Sequence, residues 1–208
     1  HLGGQGLMLY AQVHLTLPAW MHDAVDTARD YPSDADKVGL AIALSRQNIE
    51  AQSGGPFGAA VFGADHRVIA VGVNRVVPHA CSVAHAEMMA YMLAQGRTQR
   101  PRLNRDAGGA AVGPITLASS SQPCCQCYGA TVWAGIDRLL IGARAEDVMA
   151  LTEFDEGPLP ADWVGELNAR GIEVVRDIQR DAACAVLRAY GELGGQRLLG
   201  QCRRSVAV

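Results

Sequence analysis

Two short clusters carry the chemistry this chain could do. His85, Ala86 and Glu87 stand together, and Pro123-Cys124-Cys125-Gln126-Cys127 follows about 40 residues later. Cys124 and Cys127 are three positions apart, which puts both sulfurs on one face of a helix's first turn, where one ion can take both. A helix N-terminus supplies positive potential and unpaired N–H groups that lower thiol pKa values. Pro123 suits the start of such a helix because it has no N–H to satisfy. Adding His85 makes three nitrogen and sulfur ligands and leaves one tetrahedral position for water, a catalytic rather than a closed zinc pattern. On a helix Glu87 diverges from His85, so it can stand beside that water and act as general base and then general acid. A zinc that only staples the fold would want a fourth ligand, for which His79 and Cys81 are the candidates. Cys125 is rotated off the Cys124 and Cys127 face and is expected to pack. Taken alone, C-x-x-C also reads as a redox or structural-zinc motif and H-A-E as an ordinary helix face.

The elements that must position these residues are legible from periodicity. Apolar residues recur at helical spacing over Trp20 to Asp30 and Asp36 to Ala51, with Ser33 or Asp34 as cap of the second. Phe57 to Phe62 and Val68 to Val73 are short and β-branched around Gly63-Ala64-Asp65, which predicts a hairpin. Ala84 to Gln95 is a predicted helix, 96 to 113 a surface loop, Ile115 to Ala118 a strand, Cys125 to Ala134 a helix and Arg138 to Ile141 a strand. That strand, helix, strand order needs a crossover and therefore a parallel pair, so the class is α/β. A helix near Asp162 to Ala169, a strand at Ile172 to Val175 and an apolar helix at Asp181 to Leu193 complete the reading.

With 208 residues, 49% hydrophobic and 19% charged, the chain is long enough for one domain with a sizeable core and is not compositionally disordered. We expect an N-terminal extension at 1–19, a domain at 20–193 and a tail at 194–208. The formal net charge is −3 and Lys37 is the only lysine, so no footprint for a nucleic-acid backbone is present. No apolar run approaches the roughly 20 residues of a membrane span, and the first residues lack a basic n-region. The expected compartment is cytoplasmic, with Met8 a candidate native start. Six cysteines, three of them within four positions, are not a disulfide framework and point to metal or redox chemistry.

Together the two clusters spell H-x-E followed by P-C-x-x-C, the signature of zinc-dependent base deaminases, and the chain resembles the cytidine deaminase superfamily, in particular its guanine deaminase branch. Gly54-Gly55-Pro56-Phe57-Gly58-Ala59, Asn74, Gly129-Ala130 with Trp133-Ala134, and Phe154-Asp155-Glu156-Gly157 carry the resemblance, which runs from about Trp20 to Tyr190. It implies a three-layer αβα fold with a mixed five-stranded sheet, a homodimer, a zinc ion on His85, Cys124 and Cys127, and hydrolytic deamination of a free small heterocycle, guanine first. It further implies Glu87 and Glu156 as catalytic groups, Asn74 and the Ala86 backbone as ring-holding groups, and Phe57 and Trp133 as pocket walls. Asp155 or Glu156 would meet the N–H edge of the ring, since a carboxylate accepts where guanine or an amino-triazine donates. The plainer alternatives are that Asn74 is a turn residue, Phe57 and Trp133 are core, and Asp155-Glu156 is a solvated loop. Family members commonly carry Glu before Pro-Cys, where this chain has Gln122, and Cys125-Gln126 replaces the commoner Pro-Met interior. These departures keep other amino-purines, amino-triazines, pterins and cytosine-type rings open as substrates. A nucleoside or tRNA deaminase fits the charge poorly, and a non-catalytic zinc protein is the alternative of another class.

Overall fold

The computed structural model describes residues 8–193; the expected tail at 194–208, Cys202 within it, and the first seven residues of the expected extension lie outside them. In chain order the elements are α1 (Met21–Ala24), α2 (Asp34–Glu50), β1 (Gly58–Phe62), β2 (Val68–Val73), α3 (Val76–His79), α4 (Ala86–Thr98), β3 (Thr116–Ser121), α5 (Cys125–Ala134), β4 (Arg138–Ala143), α6 (Ala145–Leu151), α7 (Trp163–Asn168), β5 (Glu173–Val175) and α8 (Arg180–Glu192). The five strands form one sheet in the order β2-β1-β3-β4-β5. β1 pairs antiparallel with β2 and β3, while β3, β4 and β5 run parallel, as the crossovers through α5 and through α6 and α7 demand.

Three glycines show how the layers are assigned. A Cβ on Gly58 would collide with Ala41 O in α2, and one on Gly72 with Ala86 O in α4. Gly72 pairs with Ala59, the neighbour of Gly58, and successive strand residues face opposite sides, so α2 and α4 cover opposite faces. A Cβ on Gly142 would sit 3.1 Å from Ala183 Cβ of α8, on the α2 side. The result is a three-layer αβα sandwich, with the sheet core of Val61, Phe62, Leu117, Leu139 and Ile141 fully buried between helices.

Local chemistry explains where the elements begin and end. Ser33 and Asp36 form a reciprocal capping box at the start of α2, with Ser33 Oγ accepting from Asp36 N at 3.0 Å and Asp36 Oδ2 accepting from Ser33 N at 3.2 Å. The helix expected over 20–30 stops at Ala24, because Val25 is extended and Asp26 Oδ1 takes the Ala28 N–H at 2.9 Å in a competing turn. Two short helices, α3 and α6, were not legible as periods. The single lysine is internal, its Nζ donating to Tyr31 O at 2.6 Å and lying 3.1 Å from His66 Nδ1.

The close seat of α4 on β2 matters because the first turn of α4 carries the candidate site. Gly72→Ala is therefore expected to cost about 1–3 kcal/mol, since both nearest atoms, Ala86 O and Ala90 N, are backbone and cannot swing aside. A thermal melt checks this, with Gly96→Ala on the exposed side of α4 as control: its Cβ would meet nothing within 4 Å, and it should gain up to about 1 kcal/mol of helix propensity.

Candidate metal and active site

His85 is the N-cap of α4 and Cys124 the N-cap of α5, both with extended backbone, so each projects from a helix start rather than from a helical turn. Cys127 follows one turn into α5 and is fully buried. The Cys124 and Cys127 sulfurs lie 3.4 and 3.5 Å from His85 Nδ1, and the three ligand atoms fall within 4.8 Å of one another. A zinc about 2.3 Å from sulfur and 2.0–2.1 Å from nitrogen, at tetrahedral angles, sets sulfur and nitrogen about 3.5 Å apart. The residues present therefore fit the ion. Among the described residues neither His79 nor Cys81 joins this group; His79 Nε2 instead accepts from Thr16 N at 3.1 Å. Among the described residues the group therefore has three members, and an ion held by them would have a fourth tetrahedral position for water.

Electrostatics divide the two thiols. Cys124 is pulled down to about 4 by its hydrogen bond from Cys127 and by His85, against burial. Cys127 is pushed well up by the neighbouring Cys124 sulfur and by burial, and its Sγ lies 3.3 Å from Glu87 Oε2. Burial pushes the Glu87 carboxyl up, with the Cys124 charge adding to the push and His85 opposing it. His85 is raised overall: burial pulls it down, but its hydrogen bond with Cys124 and the Cys124 and Glu87 charges outweigh that. Glu87 Oε1 lies 3.2 Å from Ser119 Oγ, whose hydroxyl is also 2.6 Å from Ser121 O. Glu87 is thus a buried carboxyl fixed by β3 on one side and by the metal ligands on the other.

The groups expected around a ring are unequally placed. Asn74 is buried at the end of β2; its Oδ1 accepts from Gly55 N at 3.4 Å and Val76 N at 3.3 Å, and its carbonyl accepts from Asn48 Nδ2 at 3.0 Å. It is a turn residue, and those bonds also orient its Nδ2, which has no partner among the described residues. Ala86, the first residue of α4, leaves its N–H without an intrahelical acceptor. Phe57 is buried with its ring 5.6 Å from Phe154, which stacks on Tyr190 at 5.5 Å. That stack and the bond from Cys125 N to Glu156 O at 2.9 Å tie the acidic segment to the start of α5. Glu156 is buried, and burial together with the Cys124, Glu87 and Asp155 charges pushes its carboxyl well up. Asp155 is half-buried, and its Oδ1 is taken by Gly157 N at 3.0 Å in a turn.

Trp133 departs from expectation. Its side chain is 81% exposed and lines a surface depression of about 450 Å³ with Arg102, Asn104 and Ile136, not the metal site. Six positions past Cys127 on a helix is a rotation of about 240°, so the ring faces away from the sulfurs. Cys125 is exposed rather than packed in the core, and its sulfur occupies the space a Cβ on Gly157 would need. Gln122 turns to α6, its Oε1 accepting from Ala145 N at 3.3 Å, and so caps a helix. Ser119 and Asn48 carry no motif signal, since lone polar residues in apolar context read as ordinary turns or strand ends.

Comparison with known proteins agrees with this geometry. The family described as cytidine and deoxycytidylate deaminase zinc-binding region matches residues 20–143. The chain is 41% identical to the guanine deaminase of Nitrosomonas europaea, whose solved structure superposes with a TM-score of 0.81 over 89% of this chain and 99% of that one. A solved structure in complex with 2,6-diaminopurine matches at 42% identity and TM-score 0.80, over 88% of this chain and 94% of that one. A Schizosaccharomyces pombe protein named "Probable cytosine deaminase" is 30% identical over 144 residues, 67% of this chain and 81% of its own length. The match spans the starts of both helices that bring His85, Glu87, Cys124 and Cys127 together, and by it this chain belongs to the cytidine and deoxycytidylate deaminase zinc-binding family.

Proposed function

We propose that this protein is a zinc-dependent hydrolytic deaminase of a free aminated heterocycle, and that guanine, converted to xanthine and ammonia, is its substrate. The observation that carries the reading is the buried Glu87 carboxyl, 3.3 Å from a sulfur of a three-ligand site. His85, Cys124 and Cys127 would hold the ion, which supplies a water acidic enough to attack a ring carbon at neutral pH. Glu87 would take one proton from the water as its oxygen bonds to the ring carbon and pass it to the adjacent ring nitrogen, then carry the second proton of that oxygen to the amine as the C–N bond breaks, leaving a ring carbonyl and ammonia. Asn74 Nδ2 and the Ala86 N–H offer donors to ring acceptors, Phe57 an apolar wall, and Glu156 a partner for the ring's N–H edge. Asp155, held in its own turn, is the weaker candidate for that edge.

Guanine is favoured over cytosine because the guanine deaminase of Nitrosomonas europaea matches at 41% identity over nearly its whole length, against 30% for the fission yeast cytosine deaminase relative. The same reading makes the unit at 20–193 a cytoplasmic homodimer acting on small molecules rather than nucleic acid, in keeping with a single, internal lysine. Among the described residues no helix is long and apolar enough to cross a membrane.

An ammonia-release screen over guanine, other amino-purines, amino-triazines, pterins, cytosine and cytidine tests the assignment, with guanine expected to lead. Glu156→Gln should lower kcat/KM on guanine at least tenfold with zinc retained, while Asp155→Asn should stay within about twofold, or 0.4 kcal/mol. No ammonia from any of these rings would sink the deaminase reading, and an unaffected Glu156→Gln would remove that carboxyl from the pocket.

A further inference from the structure

The helices that carry the site's two halves meet through a two-rung ladder. Glu87 and Tyr91 are one turn apart on α4, and Cys127 and Thr131 are one turn apart on α5, so the same two faces oppose each other at both levels. The upper rung is Cys127 Sγ to Glu87 Oε2. The lower rung is Tyr91 Oη to Thr131 Oγ1 at 2.6 Å. Thr131 Oγ1 also donates to Cys127 O at 2.8 Å. A hydroxyl has one proton to give, so the direction is set: Tyr91 donates to Thr131, and Thr131 to the carbonyl of the metal-ligating cysteine. Both side chains are buried, Thr131 completely, so water cannot replace either bond. α5 packs on α4, and outside the metal cluster this is the only side-chain hydrogen bond between the two helices among the described residues.

We propose that Tyr91 and Thr131 are positioning residues: their hydroxyl chain fixes the backbone of Cys127 against α4 and thereby sets its sulfur relative to His85 and the carboxyl of Glu87. The proposal rests on the zinc deaminase reading and deepens it. Neither residue touches substrate. Removing the chain frees the first turn of α5 to shift by fractions of an ångström, enough to loosen metal binding and misplace the base.

The test uses the full-length zinc protein and its cobalt-substituted form in wild type, Tyr91→Phe, Thr131→Val and Thr131→Ser. Tyr91→Phe keeps ring and volume, so it is expected to fold even if Thr131→Val does not. Tyr91→Phe and Thr131→Val should weaken zinc, by chelator competition, roughly 10–100-fold. They should also shift the thiolate-to-cobalt absorption bands and lower kcat more than they raise KM, while Thr131→Ser restores all three. Variants that lose only melting temperature, with zinc affinity within about twofold and cobalt spectra superimposable on wild type, would reduce the bond to ordinary helix packing and overturn the proposal. A wild type that binds no zinc would instead overturn the function proposed above, and this inference with it.

Discussion

In Glu87→Gln, turnover is expected to fall roughly 10²–10⁴-fold while zinc content and melting behaviour hold. The amide fits the same space and can still accept from Ser119 Oγ, which lies 3.2 Å from the native carboxyl, so neither cavity nor clash is introduced. What it cannot do is take a proton from water and hand it to a ring nitrogen. The expected loss corresponds to about 2.7–5.4 kcal/mol of transition-state stabilisation at 1.36 kcal/mol per decade. Because what is lost is proton transfer in the transition state rather than ground-state binding, KM should change far less than kcat. The measurement is steady-state kinetics on the best substrate of the ammonia screen, with metal content determined on the same sample. Near-normal turnover in a fully metallated variant would take Glu87 out of the mechanism and leave its burial as an unexplained cost.

The metal ligands were legible because their chemistry is written in residue type and spacing, and no packing detail is needed to see that a histidine and two cysteines at helix starts can share an ion. The α/β class was legible for a similar reason: the order of β3, α5 and β4 admits only a parallel pair. Where reading the chain failed, a tertiary fact decided. Trp133 sits among apolar neighbours in a motif helix and reads as a pocket wall, yet its rotation from Cys127 puts it in solvent. The N-terminal helix carries a helical apolar spacing to Asp30, but Asp26 captures a backbone N–H and stops it after one turn. α3 and α6 are too short to show a period, and α3 depends on Asn74 Oδ1 at its start. Gln122 looked like a change beside the metal, whereas its side chain serves the N-terminus of α6. The Tyr91 and Thr131 bond leaves no trace in a linear pattern, because its two ends lie 40 positions apart and only the docking of α4 on α5 makes them neighbours.

Stripping the metal is expected to abolish activity, and the way it returns should carry a signature of the ligands' protons. Purified protein should hold about one zinc per chain, and the Cys124→Ala, Cys127→Ala double variant should hold almost none, since a lone His85 cannot retain the ion. Ligands must be deprotonated to bind. Cys124, at about 4, is already a thiolate at neutral pH, held so by the hydrogen bond from Cys127 and by His85. Cys127 and His85 are both shifted upward, so without the ion both tend to keep protons that zinc has to displace. The sign follows: proton release accompanies zinc uptake, so affinity rises with pH across the neutral range and falls as the medium is acidified. Zinc should therefore be recovered more tightly at pH 8 than at pH 6 in a chelator competition, with activity returning in parallel. Bound zinc also stabilises the fold by mass action, about 4.1 kcal/mol at a free concentration a thousand times Kd, so chelation should lower the melting temperature of wild type and leave the double variant unmoved. A metal-free protein that still releases ammonia, or a double variant that keeps its zinc, would show that His85, Cys124 and Cys127 are not the site.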